Sequence, residues 1–207
     1  MKKNILVFMA VLSLLALAPR GVAAGVTLDL GVKGGLSLVK FTYLETDWHN
    51  LNRPFIGGAF LAVNLSEHVA IQTEVYFRKM GYVVDYNIGD DFYRQVWSYK
   101  YISVPVLVKF KLNSLGKARP VVFGGLSGNV AMSETIREYA NGALVFEAFE
   151  PRPSSMNFAS FVLGGGVEIT LAKLLLILDV RYEVLFPWQD VILDRYNGFI
   201  FMAGIGF

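Results

Sequence analysis

Few residues in this chain are equipped for chemistry. Its 207 residues include two histidines and no cysteine, which excludes thiolate nucleophiles, disulfides and lipid attachment at a cysteine. His49 stands beside Asp47 and Trp48, and His68 follows Ser66 and Glu67. A general base needs a nucleophile within reach and a third group to orient it, and no motif supplies either partner. A metal site needs several ligands that converge, which two distant histidines do not provide. The run Asp85-Tyr86-Asn87-Ile88-Gly89-Asp90-Asp91 is acidic. It lacks the ordered spacing and closing glutamate of a calcium loop, so it reads as a solvated hairpin tip. No catalytic residue, metal or cofactor is assigned, and the chain reads as a non-enzyme.

A second group of residues is more informative because of its spacing. Asp29, Lys33, Glu74, Arg78, Lys109, Lys111, Glu168, Asp179, Arg181 and Glu183 sit between apolar or small neighbours, except that Arg78 is followed by Lys79. The clearest stretch places Leu174, Leu176, Leu178, Val180, Tyr182, Val184 and Phe186 on one face and Asp179, Arg181 and Glu183 on the other. That period of two is a strand with unlike faces, since a helix would spread the charges around its surface. The two signs occur in equal numbers, as interior charges must when an isolated one is costly. A lumen charge network with a structural role is the favoured reading. A narrow ion pore would use the same residue types, but selective pores more often carry a ring of one sign.

The elements that position these charges repeat along the chain. Eight segments of roughly ten residues have strand character. In the first, Leu28, Leu30, Val32, Leu36 and Leu38 oppose Asp29, Gly31, Lys33, Gly35 and Ser37. In the third, Ile71, Thr73, Val75 and Phe77 oppose Gln72, Glu74, Tyr76 and Arg78. The fourth sets Ile102, Val104, Val106, Val108, Phe110 and Leu112 against Ser103, Pro105, Leu107, Lys109 and Lys111. The eighth ends on Phe207. The facing of the fifth, about Arg119 to Met132, is open. Connections alternate: short near 66–68, 113–117 and 172–173; long near 40–53, 82–97, 133–157 and 187–195. This is the up-and-down order of a barrel with short turns on one side of a membrane and long loops on the other. His49 and His68 then fall on opposite sides and share no site. Phe41, Tyr43, Tyr93, Trp97, Tyr99, Tyr101, Phe186, Trp188 and Tyr196 gather where strands meet long loops, as in an interfacial girdle.

Composition agrees. Hydrophobic residues make up 54% and charged residues 17%, with a mean hydropathy of +0.46, more apolar than typical soluble domains. Past the N-terminus no apolar run approaches the ~20 residues of a spanning helix. An open sheet is excluded in hydrocarbon, where each unpaired peptide group costs several kcal/mol, so the sheet must close. Eight strands leave an interior that side chains nearly fill.

At the N-terminus, Lys2 and Lys3 precede the apolar stretch Ile5 to Ala18, then Pro19 and Val22-Ala23-Ala24. This predicts a cleavable signal peptide over residues 1–24 and a barrel domain over 25–207. Without Lys2, Lys3 and Arg20, 16 basic residues face 17 acidic ones, and no nucleic-acid partner is implied.

Four stretches carry a family resemblance: Gly31-Val32-Lys33-Gly34-Gly35-Leu36, Gln72 to Gly81, Tyr101 to Lys109, and Gly164-Gly165-Gly166-Val167-Glu168. In order and spacing they resemble the small outer-membrane barrels known as the porin family or outer membrane protein beta-barrel domain, common in the Bacteroidetes and distantly like the OmpX and OmpA barrels. The family commonly has an acidic residue where Ser103 stands. The resemblance implies a bacterial outer-membrane location, and lipid and the outer-membrane assembly machinery as partners, with Phe207 similar to the terminal aromatic that this machinery reads. The expectation is therefore an all-β protein, an eight-stranded antiparallel up-and-down transmembrane β-barrel. It is expected to be a monomer with a structural or surface-interaction role through loops that meet an unidentified extracellular partner. A narrow channel is the alternative, and a membrane-embedded hydrolase a more distant one.

Overall fold

A computed structural model describes residues 26–41, 54–151, 157–185 and 196–207. They form β1 (Thr27–Phe41), β2 (Phe55–Asn64), β3 (Val69–Ile88), β4 (Asp91–Lys111), β5 (Ala118–Ala140), β6 (Ala143–Pro151), β7 (Phe158–Leu171), β8 (Leu174–Leu185) and β9 (Tyr196–Gly206). All pairings are antiparallel. Eight strands make a ring in the order β1-β2-β3-β4-β5-β7-β8-β9, with β9 pairing back onto β1. Closure runs to the last residue, where the Phe207 amide donates to the Leu30 carbonyl at 2.9 Å and the Leu30 amide donates to the Phe207 carbonyl at 3.0 Å.

Alternation decides which face is which. Leu28, Leu30, Val32, Val75, Phe77, Val106, Val108, Phe161, Leu178 and Phe201 are exposed, while Lys33, Glu74, Arg78, Lys109, Glu168, Asp179, Arg181 and Glu183 are buried. An outward apolar belt around an inward polar set is the inverse of a soluble domain and suits a strand cylinder in lipid. Lys79 and Lys100 face each other in register just beyond Phe77 and Ile102, and they mark the belt's upper limit. At the lower end the turns are short. In one of them, Ser66 Oγ accepts from the amides of His68 and Val69 at 3.2 and 3.1 Å. The fifth strand's facing is settled: Val121, Phe123, Ser127 and Asn129 point inward, Val122, Leu126 and Val130 outward.

Two regions expected to be loops are sheet. β3 and β4 continue past Lys79 and Lys100 to a turn at Gly89, whose φ is +63°. β5 likewise continues, turns at Asn141 and Gly142 (φ 50° and 86°), and returns as β6, a further strand outside the ring that, among the described residues, pairs with β5 alone. These extensions mix polar and apolar residues on both faces, so hydrophobic periodicity fades where the sheet leaves the membrane. The local signal for β6 is Asn-Gly, whose readiness for positive φ suits a two-residue hairpin turn. Asn141 also joins the two hairpin tips. Its Nδ2 donates to Asp91 Oδ1 at 2.7 Å, and its Oδ1 accepts from the Phe92 amide at 3.0 Å.

Candidate functional site: the filled lumen and the projecting sheet

The ten charged residues singled out in the sequence all face the interior and meet in three layers. In the middle layer Arg181 of β8 donates to both Glu74 oxygens, Nη2 to Oε1 at 2.8 Å, and to Asp179 at 3.1 Å. Lys33 of β1 donates to Asp179 at 2.7 Å and to Glu74 at 3.4 Å, and Gln72 donates to the same Glu74. Towards the outside, Arg78 of β3 pairs with Glu183 of β8 at 2.6 Å and donates to Ser37 at 2.8 Å. Ser160 Oγ donates to Glu183 at 2.5 Å, and Asn129 Nδ2 donates to the same carboxylate at 3.4 Å. On the opposite side Lys109 pairs with Glu168 at 2.6 Å, while Lys111 lies 3.6 Å from both Glu168 and Asp29.

Bulky rings occupy the space between these layers. Arg181 lies over Tyr76 and Phe123, at 5.8 and 5.2 Å from the centroids, and Lys33 lies 5.1 Å over Phe60. Each ring has room because its in-register neighbour is glycine. A Cβ added at Gly164 would come within 2.5 Å of Phe123, and one at Gly31 within 2.6 Å of Phe60. Large residues opposite small ones fill a narrow barrel. Below the lowest layer the interior opens into a cavity of about 680 Å³ lined by Asp29, Asn64, Lys111, Glu168 and Phe207.

Composition alone missed the uncharged members of this network, Ser37, Gln72, Ser103, Asn129 and Ser160, all buried. Their signal was parity, since each shares the inward face of its strand. Ser103 donates to Asn129 Oδ1 at 2.5 Å, a neutral pair beside Glu183.

Beyond the apolar belt, β3 to β6 form a four-stranded sheet that continues the barrel wall. Its axis-facing side carries Tyr82 stacked on Trp97 at 5.6 Å and Tyr86 stacked on Tyr93 at 5.4 Å. Tyr99 and Tyr101 lie below them, with Tyr101 packed edge-on to Phe158 at 5.5 Å. The girdle expectation is corrected here. Tyr93, Trp97, Tyr99 and Tyr101 share the parity of the inward-facing Ser103 and Leu107, so they point to the axis and not to lipid. Tyr43, Phe186 and Trp188 lie outside the described residues, as do the side chains of Phe41 and Tyr196. So do His49 with Asp47 and Trp48, and the N-terminal segment 1–24. The acidic run is a hairpin tip in which Arg94 holds Asp85 in a two-point ion pair, both contacts at 2.8 Å. That hydrogen bond, helped by the guanidinium charge, lowers the Asp85 pKa. Among the described residues no three carboxylate or imidazole groups converge as a metal site would need.

The sequence pattern of the family described as "Outer membrane protein beta-barrel domain" matches residues 23–184. The chain belongs to that family. It is an outer-membrane β-barrel, with the ring inside the bilayer and the projecting sheet at the end opposite the short turns. Among solved structures it is similar to Neisserial surface protein A, with a TM-score of 0.55, 11% identity, and coverage of 88% of this chain and 97% of that one. It is also similar to Ail, the attachment invasion locus protein of Yersinia pestis, with a TM-score of 0.45, 13% identity, and coverage of 88% and 97%. At such identities the likeness to the Neisserial protein speaks for the fold alone. No curated protein sequence matches the chain.

Proposed function

We propose that this family member is a non-catalytic, non-conducting outer-membrane barrel that presents its projecting sheet to partners outside the cell. The supporting observation is the division between the two halves. The lumen is crossed by ion pairs between opposite strands, whereas β3 and β4 run nine residues beyond Lys79 and Lys100, ~30 Å of strand at ~3.3 Å per residue. A barrel wall extended that far outside lipid has no role in spanning. Its outer edge is β6, where Leu144, Val145, Phe146 and Phe149 are all exposed. Soluble proteins blunt such edges because unpaired backbone groups recruit further strands. An edge left apolar and open suits strand addition by a partner.

The first test is planar-bilayer conductance of the refolded chain, with heat-modifiable gel mobility as proof of folding. A folded, silent barrel is the expected result, and discrete conductance steps would instead establish the channel. The second is adhesion of cells displaying the protein with residues 82–98 and 133–151 trimmed to short turns. Adhesion unchanged by the trimming would end the surface-interaction reading.

A further inference from the structure

The two sides of the projecting sheet differ in charge. On the outer side cations and anions are matched: Arg94 with Asp85 at 2.8 Å and Arg137 with Glu147 at 2.8 Å. On the axis-facing side register and parity place Tyr82, Val84 and Tyr86 of β3; Tyr93, Gln95, Trp97 and Tyr99 of β4; Glu134, Ile136 and Glu138 of β5; and Phe146, Ala148 and Glu150 of β6. Among these described residues are three carboxylates and no lysine or arginine.

The carboxylates are arranged against their own stability. Glu134 and Glu150 are direct cross-strand partners, and like charges so placed repel. Glu134 is only 7% exposed, and burial, then the charge of Glu150, raises its pKa, against a hydrogen bond from Tyr99. Glu138 accepts from Tyr86 Oη at 2.8 Å and from Gln95 Nε2 at 3.2 Å, which fixes its direction without neutralising it. Between these acids lie the faces and edges of stacked rings. A guanidinium stacks on such rings and donates to carboxylates at once.

We propose that the axis-facing side of this sheet binds a basic, arginine-rich polypeptide segment, with Glu134, Glu138 and Glu150 as its counter-charges and Tyr86 and Tyr93 as its stacking floor. The inference rests on the surface-interaction reading and names the partner's chemistry. A peptide is favoured over a small amine by size. Glu134 and Glu138 are four residues apart, ~13 Å along a strand, and four strands span ~14 Å across. Side chains four apart on an extended partner match that spacing, and the open edge of β6 adjoins the face.

The test uses the full chain refolded into phosphatidylcholine nanodiscs, with fluorescein-labelled octa-arginine, octa-lysine and octa-glutamate as probes. Octa-arginine is expected to bind, octa-lysine several-fold more weakly, and octa-glutamate not at all. Glu138→Gln with Glu150→Gln is expected to weaken octa-arginine binding about tenfold or more. Asp85→Asn with Glu147→Gln removes the same charge from the outer side and should change it less than about twofold. In a Trp48→Phe, Trp188→Phe background, Trp97 is the one tryptophan left, and its emission should change on binding. Equal losses from the two double variants would reduce the effect to net charge and overturn the proposal. Absent binding or a silent Trp97 would do the same. Capture of octa-glutamate that depends on residues 143–151 would overturn the basic partner while leaving the surface-interaction reading standing. That reading is judged separately by the trimmed-sheet adhesion assay.

Discussion

Glu74 of β3 and Arg181 of β8 stand four strands apart whichever way the ring is counted, yet carboxylate and guanidinium meet in the middle of the barrel. Arg78 and Glu183, on the same two strands, repeat the crossing about one layer further out. The consequence is mechanical as well as electrostatic. Opposite walls are tied through the lumen, and the rings of Phe60, Tyr76 and Phe123 pack against the ties. A filled, braced cylinder supports the sheet that β3, β4 and β5 carry out of the membrane.

Breaking one half of that crossing should cost far more than removing both. Arg181→Met leaves Lys33 alone between Glu74 and Asp179, one carboxylate in excess, and Glu74→Met leaves Arg181 and Lys33 sharing Asp179, one cation in excess. Each is expected to destabilise the barrel by about 3–5 kcal/mol, the usual cost of an uncompensated buried charge. The double replacement leaves Lys33 with Asp179 at 2.7 Å, a neutral pair. Its loss should be well below the sum of the two singles. Urea unfolding in micelles, read by gel mobility, gives the cycle, and additive losses would show that the two side chains are not coupled.

At the exposed tip the Asp85–Arg94 pair gives a titration with a definite sign. Arg94 donates to Asp85 and lowers its pKa, so the contribution to hairpin stability is present above the ordinary carboxylate range and is lost as pH falls through the lowered value. Arg94→Gln should return Asp85 to the ordinary range. Carbon-detected NMR titration of the Asp85 carboxyl checks this. Global unfolding should barely move, because both side chains are solvated.

Glu134 should behave in the opposite sense. Its pKa is raised first by burial and then by Glu150, so the folded sheet holds a proton there more tightly than the unfolded chain does. The β5–β6 hairpin should therefore be firmest below the ordinary carboxylate range and loosen as pH rises through the raised value. Glu150→Gln should bring the midpoint part of the way down and leave it above the ordinary range, since burial remains. Amide exchange of residues 143–151 against pH reads the loosening. A hairpin that tightens as pH rises would contradict the assignment.

The ring was legible in the sequence because a membrane barrel imposes one rule at every position: apolar outward, small or polar inward. Asp179 and Arg181 stood out as charges between apolar neighbours, and Lys33, Glu74 and Arg78 shared the parity of their strands' inward faces; the structure buries all five. Their pairing was not legible, because which strands lie opposite depends on closure and register, not on local pattern. The projecting sheet was hidden for a different reason. Beyond Lys79 and Lys100 neither face meets hydrocarbon, so Val83, Asp85 and Asn87 alternate with Tyr82, Val84 and Tyr86 without a hydrophobic period. Only Asn141-Gly142 announced the turn into β6. The rings of Trp97 and Tyr99 misled for the same reason: their types suit an interface, but their parity sends them to the axis.

The last residue separates assembly from stability. Phe207 is 70% exposed and its backbone makes two hydrogen bonds to Leu30, so the side chain contributes little to the folded barrel while the main chain closes it. Phe207→Ser keeps both hydrogen bonds and removes the ring. If the ring serves recognition by the outer-membrane assembly machinery, the variant should refold in detergent at close to the native midpoint yet accumulate poorly in the outer membrane of cells. Deleting the residue removes the hydrogen bonds as well, and should lower the refolded midpoint by roughly 1–3 kcal/mol equivalent, at about 0.5–1.5 kcal/mol per bond. Normal accumulation of Phe207→Ser, measured by surface proteolysis and gel mobility, would assign the ring to lipid contact alone.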